Sequence, residues 1–234
     1  MKKFILAFIT LFIMTSASLA DSNVYITQSG AALDLDITLD GNANAVGASN
    51  DRTLLTGANL DVDIDLIGAT NTITGDFIGA GESGSDDLKI SQTGSTNTTA
   101  LNVGASAATD DVKILETRVG SSGVTSYIIG SAATVQDVSV TVDVIGDDID
   151  IAITENSSSS GSDKTTDIDI GTDSDDVDII ITHTGAGAHK TKLLCTGSCA
   201  GSDFTMSQTG ANSTDVDLVV TNATSSDVDI TITD

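Results

Sequence analysis

From Asp86 to Thr93 apolar and polar residues alternate. Leu88, Ile90 and Gln92 are separated by Lys89 and Ser91, with Asp87 ahead of them; Gly94 ends the run and Asn97 follows three residues later. A period of two predicts a strand with one buried face. A glycine with a nearby asparagine predicts a turn or arch that needs positive φ. Versions of the phrase recur at 24–30, 62–71 and 204–210.

The glycines that close these runs fall into two interleaved series. One reads Gly41, Gly68, Gly94, Gly120, Gly146, Gly171 and Gly197, with Asn222 as its next member, at intervals of 25 to 27 residues. The other reads Gly30, Gly57, Gly79 or Gly81, Gly104, Gly130, Asn156, Gly185 and Gly210. Asparagine is the non-glycine residue that best tolerates positive φ. Each unit of about 26 residues therefore holds two strands and two turns. The pattern predicts an all-β chain, a β-solenoid of about eight two-strand repeats in which stacked units bury one continuous core.

Counting back in steps of two from each glycine gives the inward positions. They are Leu33, Leu35, Ile37 and Leu39 before Gly41, Leu60, Val62, Ile64 and Leu66 before Gly68, and Val138, Val140, Val142 and Val144 before Gly146. Val216, Leu218 and Val220 precede Asn222, and the residues between are largely Asp, Thr and Ser. Three stretches depart from this. Glu116 and Arg118 take inward positions before Gly120, Ile168 and Ile170 run one residue out of phase with Gly171, and 156–163 is a polar run expected to bulge out as a loop.

Gln-x-Gly-x-x-Asn in a tandem two-strand unit resembles the curlin repeat of bacterial curli amyloid. Asp86 to Asn97 carries the phrase with Asp for its leading Ser. Ser22 to Gly30 fits its first part, with Leu33 in the Asn place, and Ser202 to Gly210 fits with Asn212 one residue early. Gly41 with Asn44 and Gly68 with Asn71 keep Gly and Asn but carry Leu for Gln. The resemblance implies an extracellular solenoid of strand-arch-strand repeats with stacked amide ladders, here Gln28, Gln92 and Gln208 with Asn44, Asn71 and Asn97. Such stacking follows amyloid rules, with identical side chains repeating at roughly 4.8 Å. The units are longer than typical curlin repeats, and alternation starts at Val24, leaving no room for the N-terminal targeting tail of the major curlin subunit.

Residues 1–20 read as a secretory signal peptide: Lys2 and Lys3, an apolar core from Phe4 to Met14, and Ser18-Leu19-Ala20 before Asp21. The rest, 21–234, reads as one domain, exported to the extracellular space or cell surface, with no later stretch apolar enough to span a membrane. Losing Lys2 and Lys3 leaves seven basic residues against 34 acidic ones, a net charge of −27. That sign excludes nucleic acid as a partner. Phe77, Phe204, Tyr25 and Tyr127 are the aromatics left after the signal, so thin layers of Val, Ile and Leu must form the core.

Stacked aspartates pose the electrostatic question, because two carboxylates 4.8 Å apart in water repel by roughly 0.9 kcal/mol before screening. Either the Asp rows form a solvated acidic face, or calcium bridges them as a hard cation with oxygen ligands. Cys195 and Cys199 are the only cysteines, and in an exported chain they are expected to form a disulfide around Gly197. His183 stands two residues before Gly185, where Gln stands in other units, and is expected to be a ladder residue. No catalytic motif appears, so no enzymatic activity and no cofactor other than calcium is expected. The expected function is a structural subunit that assembles end to end with copies of itself into amyloid-type fibres for adhesion and biofilm matrix. The alternative is a monomeric acidic solenoid that binds surface or matrix, with calcium.

Overall fold

A computed structural model describes residues 21–30, 32–47, 53–57, 59–79, 86–104, 109–130, 135–156, 163–171, 174–196, 199–210, 213–221 and 226–233. The signal-peptide stretch, most of the polar run at 156–163, and the turn positions Gly81, Gly197, Asn212 and Asn222 lie outside these residues. The described chain folds as strands β1 (Ser22–Val24), β2 (Thr27–Ser29), β3 (Asp34–Asp40), β4 (Ala43–Val46), β5 (Thr53–Gly57), β6 (Asp61–Ile67), β7 (Thr70–Gly79), β8 (Asp86–Thr93), β9 (Thr96–Val103) and β10 (Thr109–Val119). They continue with β11 (Ser122–Ile129), β12 (Val135–Ile145), β13 (Ile149–Asn156), β14 (Lys164–Ile170), β15 (Val177–Thr184), β16 (Ala188–Cys195), β17 (Asp203–Thr209), β18 (Ser213–Val220) and β19 (Asp227–Thr233).

The even strands from β6 to β18, with β3 ahead of them, form one eight-stranded sheet; the remaining odd strands, with β2 and β4, form a second of eleven. Every pairing is parallel. The chain thus alternates between two sheets as it advances, and the fold is a β-solenoid. In the eight-stranded sheet the register advances 27 residues from Asp34 to Asp61 and 25 from Lys164 to His189. Its first layers are broken in the other sheet, where β7 is long enough to pair with both β4 and β5.

The core lies between the sheets. Leu35, Val62, Leu88, Ile114 and Val140 form one buried row, and Ile37, Ile64 and Ile90 begin the next, which runs on to Glu116 and Val142. Opposite them, Ile151, Ile179 and Phe204 continue a row on the second sheet. Among the described residues Phe77, Tyr127 and Phe204 are the buried phenylalanines and tyrosines.

One expectation about phase is corrected. Ile168 and Ile170 pair with Val142 and Val144 and are fully buried, so β14 does not flip its face. The residue that shifts is the glycine: Gly171 N–H donates to Val144 O at 2.8 Å, one layer back, whereas Gly120 N–H donates forward to Ile145 O at 2.9 Å. Burying the isoleucines fixes the strand, and the arch from Ile170 to Val177 is two residues longer than the arch from Val144 to Ile149 with which it is in register.

Candidate functional site

The described glycines of the first series, from Gly41 to Gly171, lie at the arches that lead from the eight-stranded sheet to the other. Gly41, Gly68 and Gly94 donate their N–H to Ile67, Thr93 and Val119 carbonyls of the next layer, at 2.9 to 3.0 Å. The expected reason for glycine there is corrected. Gly68, Gly94 and Gly120 do not have positive φ; a Cβ on them would lie 2.1, 1.9 and 2.0 Å from the carbonyl oxygen of the preceding glycine in the stack. Close approach between layers requires glycine here. Gly146 combines both, with φ +149°. The second series is mixed: Gly30, Gly104, Gly130, Gly185 and Gly210 have positive φ as expected, but Gly57, Gly79 and Asn156 do not, and at Gly57 a Cβ would lie 1.7 Å from the Gly30 carbonyl oxygen.

The asparagine three residues after Gly41, Gly68 and Gly94 has a defined job. Asn44, Asn71 and Asn97 stack in one register row. Asn44 Nδ2 donates to Asn71 Oδ1 at 3.0 Å, and Asn71 Nδ2 donates to Asn97 Oδ1 at 2.9 Å. The same amides reach the carbonyls of Ile67, Thr93 and Val119, which the arch glycines also use. Gly and Asn at this spacing therefore stitch one layer to the next along a buried row.

The glutamines do not form one ladder. Gln92 lies on β8, between Leu66 and Arg118 in its row. Gln28 and Gln208 lie on the other sheet, where Gln28 neighbours Leu55 and Gln208 neighbours His183 and Ile232. Gln-x-Gly precedes both kinds of arch, so the phrase by itself does not say which sheet carries it.

Two buried polar clusters interrupt the apolar rows. In the first, Glu116 Oε2 accepts from Thr125 and from Tyr127 at 3.0 and 2.9 Å, and Oε1 accepts from Thr99 at 2.8 Å. Arg118 Nη1 donates to Thr125 Oγ1 at 2.9 Å. Its guanidinium lies against Gly123, the row position after Asn97, where a Cβ would be 2.8 Å from Cζ. Burial lowers the Arg118 pKa; burial, with Glu116 next to it, raises that of Tyr127 well above its ordinary value.

In the second cluster the row on the odd sheet runs Ile129, Glu155, His183, Gln208 and Ile232. Gln208 Nε2 faces His183 Nδ1 at 3.3 Å and donates to Thr191 Oγ1 at 3.0 Å. Thr166 Oγ1 lies 3.0 Å from His183 Nε2 and donates to Glu155 Oε1 at 3.0 Å. Lys164 Nζ lies 3.4 Å from His189 Nε2, and the two histidine rings meet edge to face at 5.4 Å. Burial pushes Glu155 up to about 8 and His183 down to about 3, and lowers His189 and Lys164. Sequence reasoning noted Glu116 and Arg118 only as lapses and missed Glu155 and Lys164. Their signal was a charged type at an inward phase of the alternation.

The aspartates face out but do not run the length of the solenoid. On the eight-stranded sheet Asp34, Asp61 and Asp87 are followed in their row by Lys113, and Asp36 and Asp63 by Lys89. Lys89 Nζ lies 3.4 Å from Asp63, and Lys192 Nζ lies 2.9 and 3.2 Å from Asp167 and Asp169. The longest run is on the other sheet, Asp150, Asp178, Asp203 and Asp227. Burial and the charges of Asp203 and Asp150 raise the Asp178 pKa. Among the described residues no group of three or more His, Cys, Asp or Glu side chains is gathered to hold a metal ion. Cys195 and Cys199 are disulfide-bonded with Cα atoms 6.5 Å apart, and Cys195 continues the buried row of Val144 and Ile170.

Compared with family models, curated proteins and solved structures, the chain matches none. The curlin resemblance rests on its motif residues alone.

Proposed function

We propose that this chain is a secreted structural subunit, curlin-like in its Gly-x-x-Asn arches, whose copies stack end to end into extracellular fibres for adhesion and matrix. The supporting observation is the last coil. Val216, Leu218 and Val220 on β18, and Val228, Ile230 and Ile232 on β19, extend the inward rows to an open strand edge. The last three are 42, 45 and 48% exposed. An unpaired parallel edge with apolar inward side chains is a template for another strand. The role assigns no catalysis and no nucleic-acid partner. Incubating the purified chain at high concentration and following it by electron microscopy and fibre diffraction tests the reading. Growth of fibres with a meridional spacing of about 4.7–4.8 Å is expected; a particle that stays monomeric under all conditions sinks it.

A second reading, a monomeric binding solenoid, draws on the four-aspartate run from Asp150 to Asp227 on one sheet face. It predicts fixed-size rods that bind calcium or calcium-bearing surfaces. Sedimentation with and without calcium separates it from the fibre.

A further inference from the structure

The first and last coils are built on the same register rows. On the eight-stranded sheet the row of Leu35 ends at Val216, that of Ile37 at Leu218 and that of Leu39 at Val220. On the other sheet the row of Val24 ends at Val228 and that of Gln28 at Ile232. Apolar inward residues thus stand at both ends of nearly every row. The first coil also holds an open cavity of about 240 Å³ between Val24, Ile26, Leu35 and Ile37. A second copy laid on that end would continue the rows and place Val228 and Val216 over these residues.

The outward rows carry a different message. Within the chain, the outward rows that begin at Asp34 and Asp36 are each interrupted by lysines: Asp34, Asp61 and Asp87 lead to Lys113 and further on to Lys190 before Asp215, and Asp36 and Asp63 lead to Lys89 and further on to Lys192 before Asp217. Continuing the same rows from one copy to the next sets Asp215 on Asp34 and Asp217 on Asp36, with no lysine between. The first coil is already crowded with charge: burial, then Asp63, Asp34, Asp87 and Asp36, raise the Asp61 pKa.

We propose that copies join in one register, β18 and β19 of one on β3 and on β1 and β2 of the next, and that the abutments of Asp215 on Asp34 and Asp217 on Asp36 make this joint depend on screening by mobile cations. The inference rests on the end-to-end assembly reading and adds its register and its control. Neighbouring strands are about 4.8 Å apart, inside the Debye length of about 8 Å at physiological salt, so these contacts stay repulsive until salt is well above that.

Charge exchange tests it. The wild-type chain, Asp215→Lys/Asp217→Lys, Asp34→Lys/Asp36→Lys and the quadruple variant are each followed by light scattering and electron microscopy across a sodium chloride series. All four positions are exposed. Wild type is expected to need high salt. Either double variant sets Lys against Asp and should elongate on the order of tenfold faster at low salt. The quadruple variant sets Lys against Lys and should need salt again, although its net negative charge is the smallest of the four. Salt dependence unchanged in both doubles, or a quadruple variant that assembles freely at low salt, overturns the register while leaving assembly itself standing. Failure of every chain to assemble at any salt overturns both readings.

Discussion

Glu155 and His183 face each other inside the solenoid, with Oε2 and Nε2 3.3 Å apart and both side chains fully buried. Gln208 Nε2 donates to His183 Nδ1, which puts the ring proton on Nε2 facing Thr166, whose hydroxyl in turn donates to Glu155. Burial keeps both members of the pair neutral, one by raising its pKa and the other by lowering it.

Opposite pH dependences follow for the two residues. His183 takes a proton near 6.5 when unfolded and only near 3 when folded, so its contribution holds above pH 6.5 and is lost as pH falls toward 3. Glu155, raised from 4.5 to about 8, contributes below 4.5 and loses that contribution as pH rises through about 8. His189 shares the sign of His183, while Lys164, also lowered, opposes Glu155 on the alkaline side. The melting temperature of Glu155→Gln relative to wild type should therefore be higher at pH 8.5 than at pH 5, in roughly the range where Glu155 loses its proton. That of His183→Gln should be higher at pH 4 than at pH 7 by the same linkage, in roughly its own range. Melting curves with flat differences across pH would show that neither group is held neutral.

The Glu116 cluster should behave as a buried charged network. Replacing Arg118 with Met leaves the Glu116 carboxylate among Thr99, Thr125 and Tyr127 without its cation. A loss of about 3–5 kcal/mol is expected, and Glu116→Ile/Arg118→Met should recover only part of it, because the buried hydroxyls of Thr125 and Tyr127 then lose the acceptor that Glu116 supplies. Chemical denaturation of the two variants makes the comparison.

Two glycines separate the two reasons for glycine. At Gly94 a Cβ would lie 1.9 Å from the Gly68 carbonyl oxygen, so Gly94→Ala should cost more than about 2 kcal/mol. Gly210 has φ +78° with its nearest Cβ contact at 3.6 Å, so Gly210→Asn should cost under about 1 kcal/mol. Equal melting temperatures for the two would contradict the close-approach account.

Reduction of Cys195–Cys199 should leave the fold intact but lower its stability by about 2 kcal/mol, the loop-closure value for so short a ring. Intact mass after alkylation checks the bond: no label before reduction and two labels after.

Much of this was legible in the alternation. Leu35, Ile37 and Leu39, or Val138 to Val144, could only be inward, because a period of two leaves one face to bury. The spacing of Asn44, Asn71 and Asn97 likewise placed them in one row. The glutamines read as one set in the sequence because Gln-x-Gly occurs before arches on both sheets, and linear spacing does not say which sheet a strand joins. Counting from Gly171 puts Ile168 and Ile170 out of phase because it uses the glycine as the reference, whereas burial of the two isoleucines sets the register.

The sequence by itself determined the strand period, the repeat length and the acidic exterior, since these follow from local alternation and composition. Only the tertiary structure decided which residues stack. It set glycine against glycine at contact distance, enclosed Glu155, Lys164, His183 and His189 together, and interrupted the aspartate runs of Asp34 and Asp36 with Lys113 and Lys89. Each of these contacts joins residues about 25 positions or more from one another in the chain, or their neighbours on the facing sheet. Their energies depend on the register between layers, and a one-residue change in an arch alters that register without leaving a mark on the local pattern.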